Sequence, residues 1–290
     1  MTIAGLTIAR NVIKNDYPIG EAIKSILPVV DTMIILAGDS EDATDELLKR
    51  IQSPKIKIVN SVWDKSIMHG GRIYAVETNK ALQLIDDSYD WIFYIQADEV
   101  VHEKYHFVIR QQCRKYKDNK SVEGLLFRYL HFYGTYDYIG NSRRWYNYEV
   151  RIIRNDKRIT SYKDAQGFRK NGKKLKVKLI EASIYHYGWV KSPKKMQDKR
   201  KEVMHYYKGD TAGASPFITT DEFNFNDFDS LQKFEGNHPA VMRERIQRRN
   251  WQVNFDVTKK NFTLKDKLLY WIEKKSGKRL FTFKNYSILA

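Results

Sequence analysis

Trp91-Ile92-Phe93-Tyr94-Ile95-Gln96-Ala97-Asp98-Glu99 sets five apolar residues directly against a polar, acidic end. An apolar run that short, bounded by polar residues, reads as a buried strand. Upstream of it lie three more such runs, Thr2 to Ala9, Thr32 to Ala37 and Ile56 to Asn60. The segments between them carry helical spacing instead. Asp16 and Pro18 signal a helix start, and Ile19, Ala22, Ile23 and Ile26 make one apolar face. A capped acidic helix runs through Leu47 and Leu48, and Ala75, Thr78, Leu82 and Ile85 mark a third. Strand and helix alternate with short connections, which predicts a Rossmann-like α/β domain with a mostly parallel central sheet.

In such sheets ligands bind beyond the carboxyl ends of the strands. Those ends carry Ala9, Arg10 and Asn11, then Gly38 and Asp39, then Asp98 and Glu99. Three distant segments therefore deliver polar residues to one crevice. Asp98 and Glu99 can hold Mg²⁺ or Mn²⁺, which prefer oxygen ligands and share their coordination with substrate phosphates. The same two residues can equally open a helix, where acidic side chains are favoured.

The second half reads differently. Glu123 to Phe132, Val150 to Arg154 and Lys176 to His186 look like strands, and a helix starts at Pro193 and runs to Lys208, where Gly209 stops it. Residues 209–237 are polar and loop-like, and basic helical segments lie near 239–250 and 263–275. The expected organisation is one domain over 1–208 and a mainly helical extension over 209–290. Leu264, Leu268, Trp271 and Ile272 fall near one helical face; docking on the domain is the expected use of that face, contact with an anionic membrane the alternative. Arg143, Arg144, Trp145, Tyr146 and Tyr148 form a basic-aromatic cluster suited to a sugar acceptor, with Arg144 and Trp145 as its candidate contacts.

At 290 residues, with 42% hydrophobic and 30% charged, the chain can bury one substantial core, which argues against disorder. Its net charge of +16 attracts polyanions: nucleic acid, an acidic membrane surface or a phosphate-bearing substrate. The lone Cys113 excludes an internal disulfide and a thiolate zinc site, and its helical spacing with Tyr105, Ile109 and Tyr116 predicts a buried structural cysteine. No apolar stretch approaches a membrane span and the opening residues run straight into a strand, so a cytoplasmic location is expected, with peripheral contact at the inner membrane face left open.

The chain resembles the inverting glycosyltransferases of family two, which have the GT-A fold. Gly38-Asp39-Ser40-Glu41-Asp42-Ala43-Thr44 is similar to that family's Asp-Gly-Ser-x-Asp-x-Thr, and Gln96-Ala97-Asp98-Glu99 to its Asp-x-Asp-Glu. Arg151-Ile-Ile-Arg-Asn155 and Ile184-Tyr-His-Tyr-Gly-Trp189 look like motifs of its bacterial members. The resemblance implies a nucleotide-sugar donor, Mn²⁺ or Mg²⁺, and a glycan or lipid-linked acceptor. It implies that Asp39 meets the nucleotide base, Asp98 binds the metal and His186 is a further metal or diphosphate ligand. Gln96 departs from the family's first aspartate and supplies no charge for a cation. Arg72, after Gly70-Gly71 and before the third helix, stands where it could bind phosphate, though the stretch is no recognised phosphate loop and reads equally as a solvated turn. The family's Glu-Asp base pair is not intact; Glu149 is the first candidate for the base and Asp164 the second, each alternatively a surface ion-pair partner.

Two other readings compete with an enzyme. A nucleic-acid-binding protein would explain the charge and the interleaved aromatics, but no nucleic-acid motif is present and acidic strand ends repel a polyanion, so no nucleic-acid partner is expected. A catalytically silent family relative would explain Gln96 and the missing pair.

Overall fold

The computed structural model describes residues 1–67, 69–208 and 220–289. Strands β1 (Ile3–Ala9), β2 (Thr32–Ala37), β3 (Ile56–Asn60) and β4 (Trp91–Tyr94) lie parallel in the spatial order β4-β1-β2-β3. Helices α1 (Ile19–Ile26), α2 (Thr44–Lys49) and α3 (Arg72–Gln83) make the connections. Residues on α1 pack with Ile3, Ile35 and Phe93 on one face of the sheet. Ile73, Ala81 and Leu82 of α3 pack with Leu6, Ile34 and Tyr94 on the other. Burial on both faces is why β1, β2 and β4 are largely apolar runs rather than alternating ones. All four strands point their carboxyl ends the same way, which sets the edge on which a site can form.

Past β4 the topology changes. A turn at Gln96-Ala97-Asp98 leads into β5 (Glu99–Val101), then α4 (His106–Lys115), where Ile109 and Cys113 are buried as the spacing predicted. Three strands follow: β6 (Gly124–Gly134), β7 (Tyr138–Gly140) and β8 (Tyr148–Arg154). β8 inserts between β4 and β6, antiparallel to both. A separate antiparallel sheet is built from β9 (Ile159–Ser161), β10 (Phe168–Lys170) and β11 (Lys173–Lys174). The long β12 (Lys176–Val190) runs parallel to β6 and antiparallel to β5, and α5 (Pro193–Lys208) follows it. The whole is a mixed α/β fold around one large, mostly parallel sheet.

The chain beyond residue 220 is less helical than expected. It adds β13 (Leu231–Lys233) against β7 and β14 (Ser287–Ile288) against β12, with only two α-helices, α6 (Arg243–Gln247) and α7 (Leu264–Ser276), among the described residues. The segment 209–237, read as a loop, therefore contains a sheet strand, while Gly209 and the rest of 209–219 lie outside the described residues. Docking of α7 through an apolar face is also overturned. Leu264 is 85% exposed, and Leu268 and Trp271 are exposed beside it. The helix is held by charge instead, Glu273 meeting Arg143 at 2.8 Å and Arg279 at 3.6 Å. No helix of the described residues is long and apolar enough to cross a membrane.

Candidate active site

A cavity of about 320 Å³ opens at the carboxyl edge of the parallel strands. Three of the four strand ends contribute to it: Arg10 after β1, Trp63 after β3, and Gln96, Ala97 and Asp98 after β4. Asp39, after β2, stands behind the wall and orients it. Its carboxylate accepts from Arg10 Nε and from the Trp63 backbone N–H, both at 3.1 Å. The Arg10 guanidinium lies over the rings of Trp63 and Tyr206, at 5.5 and 5.9 Å from their centroids. The result is a flat, cationic, aromatic corner suited to a heteroaromatic base and its ribose.

Asp98 lines the cavity too, half-buried, with Oδ2 3.4 Å from His186 Nε2 and 3.7 Å from Lys199 Nζ. Burial raises the pKa of Asp98, but the nearby His186 and Lys199 outweigh it and hold the carboxyl well below its ordinary range. The imidazole hydrogen bonds fix which atom of His186 faces Asp98. His131 donates through Nε2 to the Tyr146 carbonyl (3.0 Å), and burial, then His186, hold its pKa far down. A neutral His131 must then accept at Nδ1 from His186 Nδ1–H, 3.2 Å away. His186 Nε2 is left facing a carboxylate oxygen, and two such acceptors need a proton or a metal ion between them. Gly188 keeps the space open: a Cβ there would lie 2.5 Å from Asp98 Oδ2 and 2.6 Å from His186 Nε2. No group of three or more His, Cys, Asp or Glu suited to a metal occurs among the described residues. Two protein ligands fit Mg²⁺ or Mn²⁺ that completes its coordination with substrate phosphate and water.

Glu99, adjacent to Asp98, is not available for a metal. It is fully buried and accepts from Arg151 Nε (2.7 Å), Arg151 Nη2 (2.5 Å), Tyr129 Oη and the Gln96 backbone N–H. Arg151 in turn lies over Tyr94 and Tyr129. This end of the Arg151–Asn155 motif is structural, and so is its partner Arg154, which donates to four backbone carbonyls and stacks on Trp91.

Glu149 sits two residues before Arg151 on β8 and lines the same cavity. It is 7% exposed, which removes the surface ion-pair reading. Arg151 Nη1 comes no nearer than 3.6 Å, and Glu149 Oε2 has no hydrogen-bond partner among the described residues. Burial pushes its carboxyl up to about 8; the Arg151 charge opposes that shift without cancelling it. A carboxyl so placed gains and loses its proton near neutral pH. Asp164 lines the cavity too, but accepts from Gln166 (3.0 Å) and Tyr207 (2.7 Å).

The structure thus gathers Arg10, Gln96, Ala97, Asp98, Glu149 and Asp164 around one cavity, with Asp39 and His186 directly behind it. Ala9 is buried in the core, and Asn11 serves the fold by donating to Glu202 of α5 at 2.6 Å. Arg72 is exposed, and the amides of Gly70 and Gly71 before it donate to the Tyr207 and Tyr206 carbonyls at 2.9 Å, so they are not free for phosphate. Arg144 is exposed beside Asp227, and Trp145 packs with His131, Tyr133 and Trp189; neither lines the cavity.

No family model and no curated protein matches this sequence. Solved structures do. The chain is distantly similar to several of them. Against S. aureus TarS 1–349 it is 12% identical with a TM-score of 0.38, covering 75% of this chain and 69% of that one. The longer S. aureus TarS chain is covered over only 39% of its length. Against glucosyl-3-phosphoglycerate synthase from Mycobacterium tuberculosis in complex with Mn²⁺, UDP and phosphoglyceric acid, identity is 18% and the TM-score 0.30, over 46% of this chain and 43% of that one. A synthase of 4-diphosphocytidyl-2C-methyl-D-erythritol from Anaerococcus prevotii matches at 12% identity and a TM-score of 0.35, covering 53% and 71%. Likenesses this distant carry no weight for activity, which rests on the residues of this chain.

Sequence reasoning missed several residues on the wall, among them Trp63, Lys199 and Tyr207. Trp63 follows β3, so the strand-end rule that found Arg10 and Asp98 would have found it. Lys199 and Tyr207 come from α5, where nothing in the helical pattern distinguishes them from solvated residues.

Proposed function

We propose that this protein transfers a sugar from a nucleotide-sugar donor to an acceptor hydroxyl, with inversion at the anomeric carbon. One observation carries the reading: a buried carboxyl, Glu149, with one oxygen free of hydrogen bonds, lines a cavity together with Asp98, which His186 backs, and with the cationic aromatic corner at Arg10. That combination supplies a base, a diphosphate end and a nucleoside end in one space.

In this reading Arg10, Asp39 and Trp63 orient the nucleoside, and Gln96 bonds to the ribose. Asp98 and His186 would hold Mg²⁺ or Mn²⁺, which when bound neutralises charge on the diphosphate. Lys199, whose ammonium donates to the Gly188 carbonyl at 2.9 Å, adds positive charge to the same end; burial lowers its pKa and Asp98 opposes that shift. Lys199 offsets the charge missing at Gln96 and favours departure of an anionic leaving group. Glu149 accepts the acceptor proton at Oε2 as the hydroxyl oxygen bonds to the anomeric carbon. Asp164, with both carboxylate oxygens engaged, is a positioning residue for Tyr207 and Gln166.

The test is release of nucleoside diphosphate from a panel of UDP-, GDP-, CDP- and dTDP-sugars, with Mn²⁺ and simple hydroxyl acceptors. Consumption of one donor class, abolished in Asp98→Ala, is the expected result. No turnover of any donor by folded protein would overturn the reading in favour of a silent relative.

A further inference from the structure

A second cavity, of about 470 Å³, adjoins the first. Tyr146, Glu149 and Gln166 line both, so Glu149 stands at the junction between them. The outer wall of the second cavity comes from Gly277 to Ile288, at the far end of the chain.

That segment is fastened, not draped. β14 pairs with the start of β12, and Tyr286 is buried in the main core. Arg143 donates to the Leu280 carbonyl and to Thr282, and Asn285 donates to the Gln166 carbonyl at 2.7 Å. The approach at that last point is close enough that a Cβ on Gly167 would collide with the Asn285 amide.

Polar groups are set into a mainly apolar lining. Three of its lining residues each keep a polar atom, closed off from solvent, without a hydrogen-bond partner among the described residues: Glu149 Oε2, Arg279 Nε and Asn285 Oδ1. Glu149 and Asn285 are both more than nine-tenths buried. The charge is one-sided as well. Arg279 is offset by Glu273 at 3.6 Å, but Lys278 and Lys284 form no ion pair among the described residues. Two uncompensated ammonium groups match one phosphate, which carries about 1.5 to 2 negative charges at neutral pH.

We propose that this second cavity is the acceptor site, and that the acceptor is a hydroxyl compound bearing a phosphate group. The inference rests on the donor reading of the first cavity for its catalytic role, though not for phosphate binding. Lys278 and Lys284 hold the phosphate, Asn285 and Arg279 orient the remainder, and the reacting hydroxyl is delivered to Glu149. The acceptor oxygen then bonds to the anomeric carbon while the bond from that carbon to the diphosphate oxygen breaks. The hydroxyl proton passes to Glu149 Oε2, and the electron pair leaves with the nucleoside diphosphate.

The experiment is calorimetric titration of the full chain with sn-glycerol 3-phosphate, for the wild type, the double variant Lys278→Ala/Lys284→Ala and Asp98→Ala. Both lysines are exposed, so the double variant is expected to fold, and its circular dichroism checks this. Binding should weaken at least tenfold in the double variant and stay unchanged in Asp98→Ala. Co-sedimentation with phosphatidylglycerol vesicles, with and without competing glycerol 3-phosphate, distinguishes a lipid-borne phosphate from a soluble one; competed binding supports the site in its lipid form. Equal binding by wild type and double variant, or no binding of either probe, overturns the proposal. Nucleotide binding is measured on the same samples, so a failed donor reading registers there and not in the phosphate titration.

Discussion

The corner between β4 and β5 and the start of β8 each offer a glutamate to the same arginine, with opposite results. At the corner, Glu99 receives two guanidinium N–H groups, a tyrosine hydroxyl and a backbone amide, and is fully spent. On β8, Glu149 has the Arg151 guanidinium no nearer than 3.6 Å and keeps one buried oxygen without a hydrogen bond. Burial alone therefore does not mark a chemical carboxyl. What separates the two is whether the buried charge is satisfied, since an unsatisfied one retains its affinity for a proton.

Substitution should split the pair cleanly. Glu149→Gln is expected to lower transfer by about 10²- to 10⁴-fold, the usual worth of a general base, while nucleotide binding stays within about twofold. In the wild type, initial rates should rise as pH increases through about 8, where Glu149 loses its proton. Glu99→Ala should do the reverse. Stranding Arg151 without its partner should cost about 3–5 kcal/mol in urea unfolding. The comparison breaks if Glu99→Ala is stable and inactive, or if Glu149→Gln remains active.

Gly188→Ala probes the Asp98–His186 pair without removing a charge. Its methyl group would enter the space between Asp98 and His186, so Mn²⁺-dependent nucleotide binding should weaken about tenfold or more, measured by titration in Mn²⁺ and in EDTA. The smallest effect is on stability. The folded pKa of Glu149, about 8, lies above its ordinary value of 4.5. The folded state therefore holds a proton the unfolded chain releases, and the associated stabilisation is complete below pH 4.5 and lost as pH rises through 8. Glu149→Gln carries no such linkage. Its Tm should gain on the wild type between pH 5 and pH 9, by a few degrees for each kcal/mol of about 1–3 kcal/mol.

The same contrast explains what could be read from the sequence. The parallel half was legible because β1, β2 and β4 are largely apolar runs and each helix shows its face, so Arg10 and Asp98 could be assigned to one edge. Asp98 and Glu99 looked alike there, since nothing local says that Arg151, on a strand inserted later beside β4, takes one and leaves the other. Glu149 could be named from its position before a strand, but its burial depends on β8 entering between β4 and β6. The exposed face of α7 was misread because ion pairs from Arg143 and Arg279, rather than apolar packing, hold that helix. Lys199 and the 277–288 wall reach the site only through the tertiary fold.

The most direct measurement of the central claim is the thermal stability of wild type and Asp98→Ala with UDP, GDP, CDP and dTDP, each in Mn²⁺ and in EDTA. A ligand bound by the folded state alone raises its Tm. A rise with one nucleotide in Mn²⁺, absent in EDTA and in Asp98→Ala, is the predicted result. No rise with any nucleotide in the folded wild type would contradict a donor site at this cavity.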